Sequence, residues 1–286
     1  MTKRCCTVLL ASLLAPMVSA VAQDIETTKV AEGVYQFRWN SHNGMFVHSA
    51  GRVVAFDPIN PEAAAAFGKE IQRVLPGARL AAIVYSHSDA DHSTGAPALM
   101  AAFGSTTVPI IAHERAVAPI RARNDANHPV PTVTFAERMA FDIAGRRIEL
   151  HYLGPSHTDN MLVGFIPDVG VAFAVDFVAL DRVGYQGLPG WRFPEFFDAL
   201  SGMLRIPFQT VVFGHGATGD RDAIRRQIAY YDDLTAAMRK ALADGLSEDQ
   251  AVAQVTLPAY QAWGQYQAWM PMNARAIYQW LAKGER

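Results

Sequence analysis

The sequence predicts an α/β fold, and three observations carry that prediction. Short apolar runs of strand character alternate with amphipathic helical stretches, and the alternation starts afresh past the midpoint of the chain. The run Leu80–Tyr85 has the pattern of a buried strand and leads straight into His87, Asp89, Asp91 and His92. Half of the 286 residues are hydrophobic, which suffices for the core of one ordinary α/β domain.

Residues 1–22 read as a secretory signal peptide: Lys3 and Arg4, the apolar run Val8–Val18, then Ala20-Val21-Ala22, with cleavage expected before Gln23. The run is shorter than the ~20 residues that span a bilayer and contains Pro16, so no stable membrane insertion is expected after cleavage. Cys5 and Cys6 both fall in this segment, which leaves residues 23–286 with no thiol, disulfide or cysteine ligand. The expected location is periplasmic or secreted.

Residues Val30 to Asp57 alternate and break like a β-meander, with a turn at Ala50-Gly51. Pro61–Leu75 is an amphipathic helix, opened by its proline and closed by Pro76-Gly77. After the central strand, Ala96–Phe103 reads as a helix, Val108–Ala112 as a strand, and His113–Arg123 as a helix interrupted by Pro119. Asn124–Pro131 is a polar midpoint loop, after which the pattern restarts with strands at Thr132–Phe135, Met139–Ile143 and Arg147–Leu153. Apolar runs at Met161–Ile166, Val171–Val175 and Thr210–Phe213 continue it, with helices at Pro194–Leu204 and Asp222–Ala243. Ser247 and Gln250 form a capping box for a further helix, and Tyr260–Trp280 reads as a last helix whose aromatic residues belong to the core.

Two imidazoles and two carboxylates directly behind a buried strand need partners, because charge near a core is costly to leave unpaired. A divalent metal supplies one. Alternate side chains of an extended segment project the same way, so His87 and Asp89 point to one ion, and Asp91 and His92 to a second. The competing reading is a polar helix N-terminus, where Asp and Ser serve as caps.

The His-x-Asp-x-Asp-His stretch, followed by single His, Asp and His residues, resembles the metallo-β-lactamase superfamily of dinuclear hydrolases. The family motif is His-x-His-x-Asp-His, so Asp89 stands where a second histidine is usual. The resemblance implies a four-layer αβ/βα sandwich reaching to about Ala243; residues from about 245 to 286 lie outside it and read as a C-terminal helical extension. It also implies further ligands: His157, in Gly154-Pro155-Ser156-His157-Thr158, for the first metal; Asp176, ending VAFAVD, shared between metals; and His215, in Gly214-His215-Gly216, for the second. His42, His48, His113, His128 and His151 have no motif support and read as structural or surface residues. His42 is the best-placed exception, since the Asn40–Gly44 loop is able to lie over the site.

The implied chemistry is an exported metal-dependent hydrolase in which a metal-activated hydroxide attacks an amide, lactone or ester, with a β-lactam among the candidates. Asp91 would orient the water and carry its proton to the leaving group. Two divalent ions are expected, zinc first. Asp89 adds a third carboxylate to Asp91 and Asp176 and shifts the donor set toward iron or manganese. A net charge of −2 without a long basic block argues against nucleic acid as a partner and leaves a small-molecule substrate. Its contacts are expected from Trp39–Phe46, Arg121–Pro131 and Asp181–Phe193, where Arg182, Tyr185 and Trp191 either form an aromatic wall with one cation for a carboxylate or only stabilise the loop. Two other classes remain open at this point: a diiron oxidoreductase of the same fold, and a non-catalytic metal-binding protein of the envelope.

Overall fold

The computed structural model describes residues 24–284, so the proposed signal peptide lies outside the described residues. The first half runs β1 (Ile25–Ala31), β2 (Val34–Trp39), β3 (His42–Ser49), β4 (Arg52–Phe56), α1 (Pro61–Val74), β5 (Arg79–Val84), α2 (Ala90–Ser93), α3 (Ala96–Ala102), β6 (Ile110–His113), α4 (Val117–Arg123) and β7 (Val133–Phe135). These seven strands form one sheet in sequence order, antiparallel from β1 to β4 and parallel from β4 to β7. The second half runs β8 (Arg138–Ile143), β9 (Arg146–Tyr152), β10 (Leu162–Ile166), β11 (Val171–Ala174), α5 (Glu195–Gly202), β12 (Thr210–Phe213), β13 (Gly219–Asp220), α6 (Arg221–Ala243), α7 (Glu248–Gln254) and α8 (Tyr266–Ala282). Its sheet has the order β13-β12-β11-β10-β9-β8, with β11 and β12 parallel.

The two-residue period of the strands builds four layers. In β4, Val54 and Phe56 face the second sheet, while Val53 and Ala55 face a separate core that contains Ala63, Phe67 and Ile71 of α1 and Leu99 of α3. Phe56 meets Phe173 of β11 across the sheets, ring centroids 5.5 Å apart. A fully buried phenylalanine of this kind is worth about 3–5 kcal/mol on truncation to alanine. Gly164 of β10 makes room for it, because a methyl there would sit 2.6 Å from the Phe56 ring. Beyond the second sheet, Phe196 of α5, Tyr230, Tyr231 and Leu234 of α6, and Ala274 and Ile277 of α8 close the outer layer.

Four boundaries differ from the sequence reading, the first at His113, which ends β6 ahead of a 3₁₀ turn at Glu114–Ala116 rather than opening a helix. The meander begins earlier, because β1 pairs with β2 although its exposed residues show no clear alternation. The restart after the midpoint loop comes at β8 rather than Thr132, since β7 pairs in parallel with β6 and completes the first sheet. The last helix is shorter than expected, with a 3₁₀ turn at Pro258–Tyr260 preceding α8. Its aromatic residues do pack on the core: Tyr260 and Tyr266 are buried, and Trp263, Trp269 and Trp280 lie against it. The predicted capping box of α7 is present in full.

Candidate metal centre

The carboxyl ends of β4, β5, β11 and β12 converge, and the loops that leave them carry most of the polar residues picked out in the sequence. His87 follows β5, Asp89 sits at the N-cap of α2, and Asp91 and His92 lie in its single turn. Asp89 makes no capping hydrogen bond; its carboxylate faces His157 Nε2 at 3.1 Å and His87 Nε2 at 3.6 Å. The helix-cap reading of this aspartate therefore fails on geometry.

Two groups emerge whose ligand atoms all lie within 4.8 Å of one another: His87, Asp89 and His157 in the first, and His42, Asp91, His92 and His215 in the second. Asp176 stands between them. Its Oδ2 is 3.2 Å from His87 Nε2 and 3.7 Å from His157 Nε2, and its Oδ1 is 3.4 Å from His92 Nε2 and 3.0 Å from His215 Nε2. Each oxygen thus addresses one group. The left-handed backbone at Asp176, φ 60°, aims this side chain inward from the end of β11, a conformation aspartate tolerates better than most residues.

His42 departs from the structural role expected of it. Asn40–Gly44 is not a loop over the site but a tight turn and the start of β3. His42 forms an isolated bridge with His215, its Nε2 lies 3.2 Å from Asp91 Oδ2, and its ring is 4.5 Å from that of His215. Next to it, Asn43 donates from its backbone to Gly214 and from its side chain to Phe213 and Gly216, which pins the His215 loop. Gly214 has no room for a side chain: a methyl would meet Val175 at 2.4 Å and His92 at 3.1 Å.

Asp57 is a further site residue that the sequence reading missed. It is fully buried after β4 and accepts from the backbone N–H and the hydroxyl of Ser86, both at 2.7 Å. Ser86 Oγ in turn lies 2.9 Å from His87 Nδ1, and Asp57 Oδ2 lies 3.4 Å from His92 Nδ1. One carboxylate so stands behind an imidazole of each group, through Ser86 for His87 and by a charge contact for His92. An Asp at a strand end beside the central strand was the signal available for it. Of the two roles open to Arg182, Tyr185 and Trp191, the structure shows packing rather than a common wall. Arg182 lies over Trp269 of α8 at 4.7 Å and Tyr185 packs on the same ring, while Trp191 turns into the core beneath His157.

The carboxylates of the site are balanced chiefly by its imidazoles. Among the described residues no lysine or arginine forms an ion pair with Asp89, Asp91 or Asp176; their partners are histidines. Burial would raise the Asp176 carboxyl, but His92, His215 and His87 hold it well below the usual carboxylate range. Burial would likewise lower His87, yet Asp176 and Asp89 lift it to about 9. His92, equally buried, is raised well above an ordinary imidazole by Asp176 and Asp57. His87 Nε2 has no hydrogen-bond partner although it is fully buried. Protons on these imidazoles occupy the electrostatic place that a divalent cation fills, and the donor set of nitrogens and carboxylate oxygens suits one.

The sequence model of the metallo-beta-lactamase superfamily matches residues 37–233. The chain belongs to that superfamily. Its fold is also that of solved members. A metallo-beta-lactamase from Pontibacter korlensis aligns with a TM-score of 0.62 at 21% identity, covering 72% of this chain and 98% of the other. VMB-1 aligns with a TM-score of 0.61 at 19% identity, covering 73% and 97%. No curated protein matches the chain. Both α7 and α8 lie beyond the part matched by the superfamily model.

Proposed function

We propose that this superfamily member is an exported metal-dependent hydrolase that opens an amide, lactone or ester bond in a small molecule, β-lactams being one class to test. The observation that carries the reading is Asp176, whose two oxygens address two separate sets of imidazoles. In this reading His87, Asp89 and His157 hold a first divalent ion, Asp91, His92 and His215 a second, and Asp176 both. Such ions, when bound, lower the pKa of water and polarise the scissile carbonyl.

The protein's own groups handle the proton. Asp91 is the most open of the candidate ligands, its side chain 59% exposed, so it meets solvent directly. Partial desolvation would raise its carboxyl, but the bond with His42 and the charge of His92 hold it at about 2. It is therefore ionised at neutral pH and accepts a proton before passing it to the leaving group. His42, bonded to the same carboxylate, fixes its direction.

Export rests on residues 1–22 alone. Among the described residues no helix is long and apolar enough to cross a membrane. Zinc is the first choice of metal, with iron or manganese favoured by Asp89. That same residue supports a second reading, a diiron oxidoreductase on this fold.

The test is metal analysis of protein recovered from the envelope, then assays against lactams, lactones and esters. The hydrolase reading predicts turnover that chelation abolishes and zinc restores. Metal-loaded protein that hydrolyses none of them, yet consumes oxygen with an added electron donor, would favour the second reading.

A further inference from the structure

The four imidazoles that face Asp176 are not backed alike. Ser86 Oγ gives its own hydrogen to Asp57, so only its lone pairs face His87 Nδ1, at 2.9 Å. His215 Nδ1 faces the Ser41 carbonyl at 2.8 Å, and His92 Nδ1 faces the Asp57 carboxylate at 3.4 Å. Acceptors there favour a hydrogen on Nδ1, so that each Nε2, on yielding its contact with Asp176 to an ion, presents a lone pair with Nδ1 unchanged. His157 is the exception. Its Nδ1 lies 2.9 Å from Nε1 of Trp191, and an indole N–H only donates. Neutral His157 then carries its hydrogen on Nε2, where it donates to Asp89 Oδ2 at 3.1 Å.

We propose that Trp191 sets the order in which the two pockets fill, by holding His157 in the tautomer that bonds Asp89 instead of a metal. The inference rests on the metal-centre reading and goes beyond it. For His157 to ligate through Nε2, that nitrogen must give up its hydrogen, and the imidazole keeps a neutral form only if Nδ1 gains one and loses the indole bond. The indole has little freedom to step aside, since it is 8% exposed and wedged against Phe196, ring centroids 4.3 Å apart. Arg192, the next residue, also donates from its backbone to the Ser156 carbonyl, which ties this segment to the His157 loop. In the second pocket neither His92 nor His215 faces a donor at Nδ1, so yielding its Nε2 contacts to an ion requires no change of tautomer. That pocket fills first, and the first pocket binds its ion more weakly, with Trp191 acting as a positioning residue.

The experiment compares the metal-free full chain with Trp191→Phe, which removes the donor and keeps an aromatic ring. Calorimetric titration with zinc alone should resolve two association constants in the wild type. In the variant the weaker one should tighten by about threefold to tenfold, the equilibrium worth of one hydrogen bond, while the stronger one holds. Long-range ¹H–¹⁵N correlation spectra of the metal-free wild type should show the His157 hydrogen on Nε2, a readout that needs no variant. A hydrogen on Nδ1, or two constants insensitive to the substitution in a folded variant, would overturn the inference and leave the metal centre standing. Wild-type protein that binds no zinc would overturn both.

Discussion

In the second pocket His92 and His215 are backed by the Asp57 carboxylate and the Ser41 carbonyl, and His42 adds a third imidazole beside Asp91. In the first pocket His87 has comparable support from Ser86, but Asp89 replaces an imidazole and His157 is backed by a donor. Both pockets share Asp176, and ligand types read from a motif would make them near equivalents. The groups behind the ligands separate them. A metal site is defined as much by which tautomer its second partners enforce as by the residues that face the ion.

The comparison breaks most sharply at His215. His215→Ala should lower metal content from about two ions toward one while the first pocket keeps His87, Asp89 and His157. Turnover should fall by about a hundredfold to a thousandfold, far more than the Michaelis constant rises, because the lost ion stabilises charge that develops in the transition state. Circular dichroism should be unchanged, since His215 lies in a loop past β12. Metal stoichiometry and kinetics on the one variant check both effects.

Asp57 sharpens the contrast in another way, because it stands behind a histidine of each pocket. Asp57→Ala should weaken both ions together, by about tenfold to a hundredfold, where His215→Ala removes one. It should also cost about 1–3 kcal/mol of stability, because the buried Ser86 N–H loses its acceptor. Zinc titration and thermal melts measure the two effects separately. Loss of only one ion would mean that Asp57 serves a single pocket.

How much of this was legible in the sequence follows from how local each signal is. His87 to His92 stand within one short segment behind a buried strand, and His157, Asp176 and His215 each follow an apolar run. The structure brings all seven together. His42, Asp57 and Trp191 carry no such mark. His42 reaches the site through a bridge from the first sheet to the His215 loop, a contact between residues far apart in the chain. Asp57 acts through Ser86, and only the pairing of β4 with β5 sets them side by side. Trp191 stays open between a substrate wall and a loop-packing role, because an aromatic loop residue has the same local pattern whether it faces substrate or core. The first sheet was legible strand by strand, but β7 was grouped with the second half, since apolar alternation does not say which sheet a strand joins.

The central claim is that two ions sit on opposite sides of Asp176. Anomalous diffraction at the zinc absorption edge, from crystals of metal-free protein soaked in zinc, tests it directly. The account predicts two peaks, the stronger among His92, His215 and Asp91 and the weaker beside His87 and Asp89. A map with no peak against the Asp176 carboxylate would contradict it.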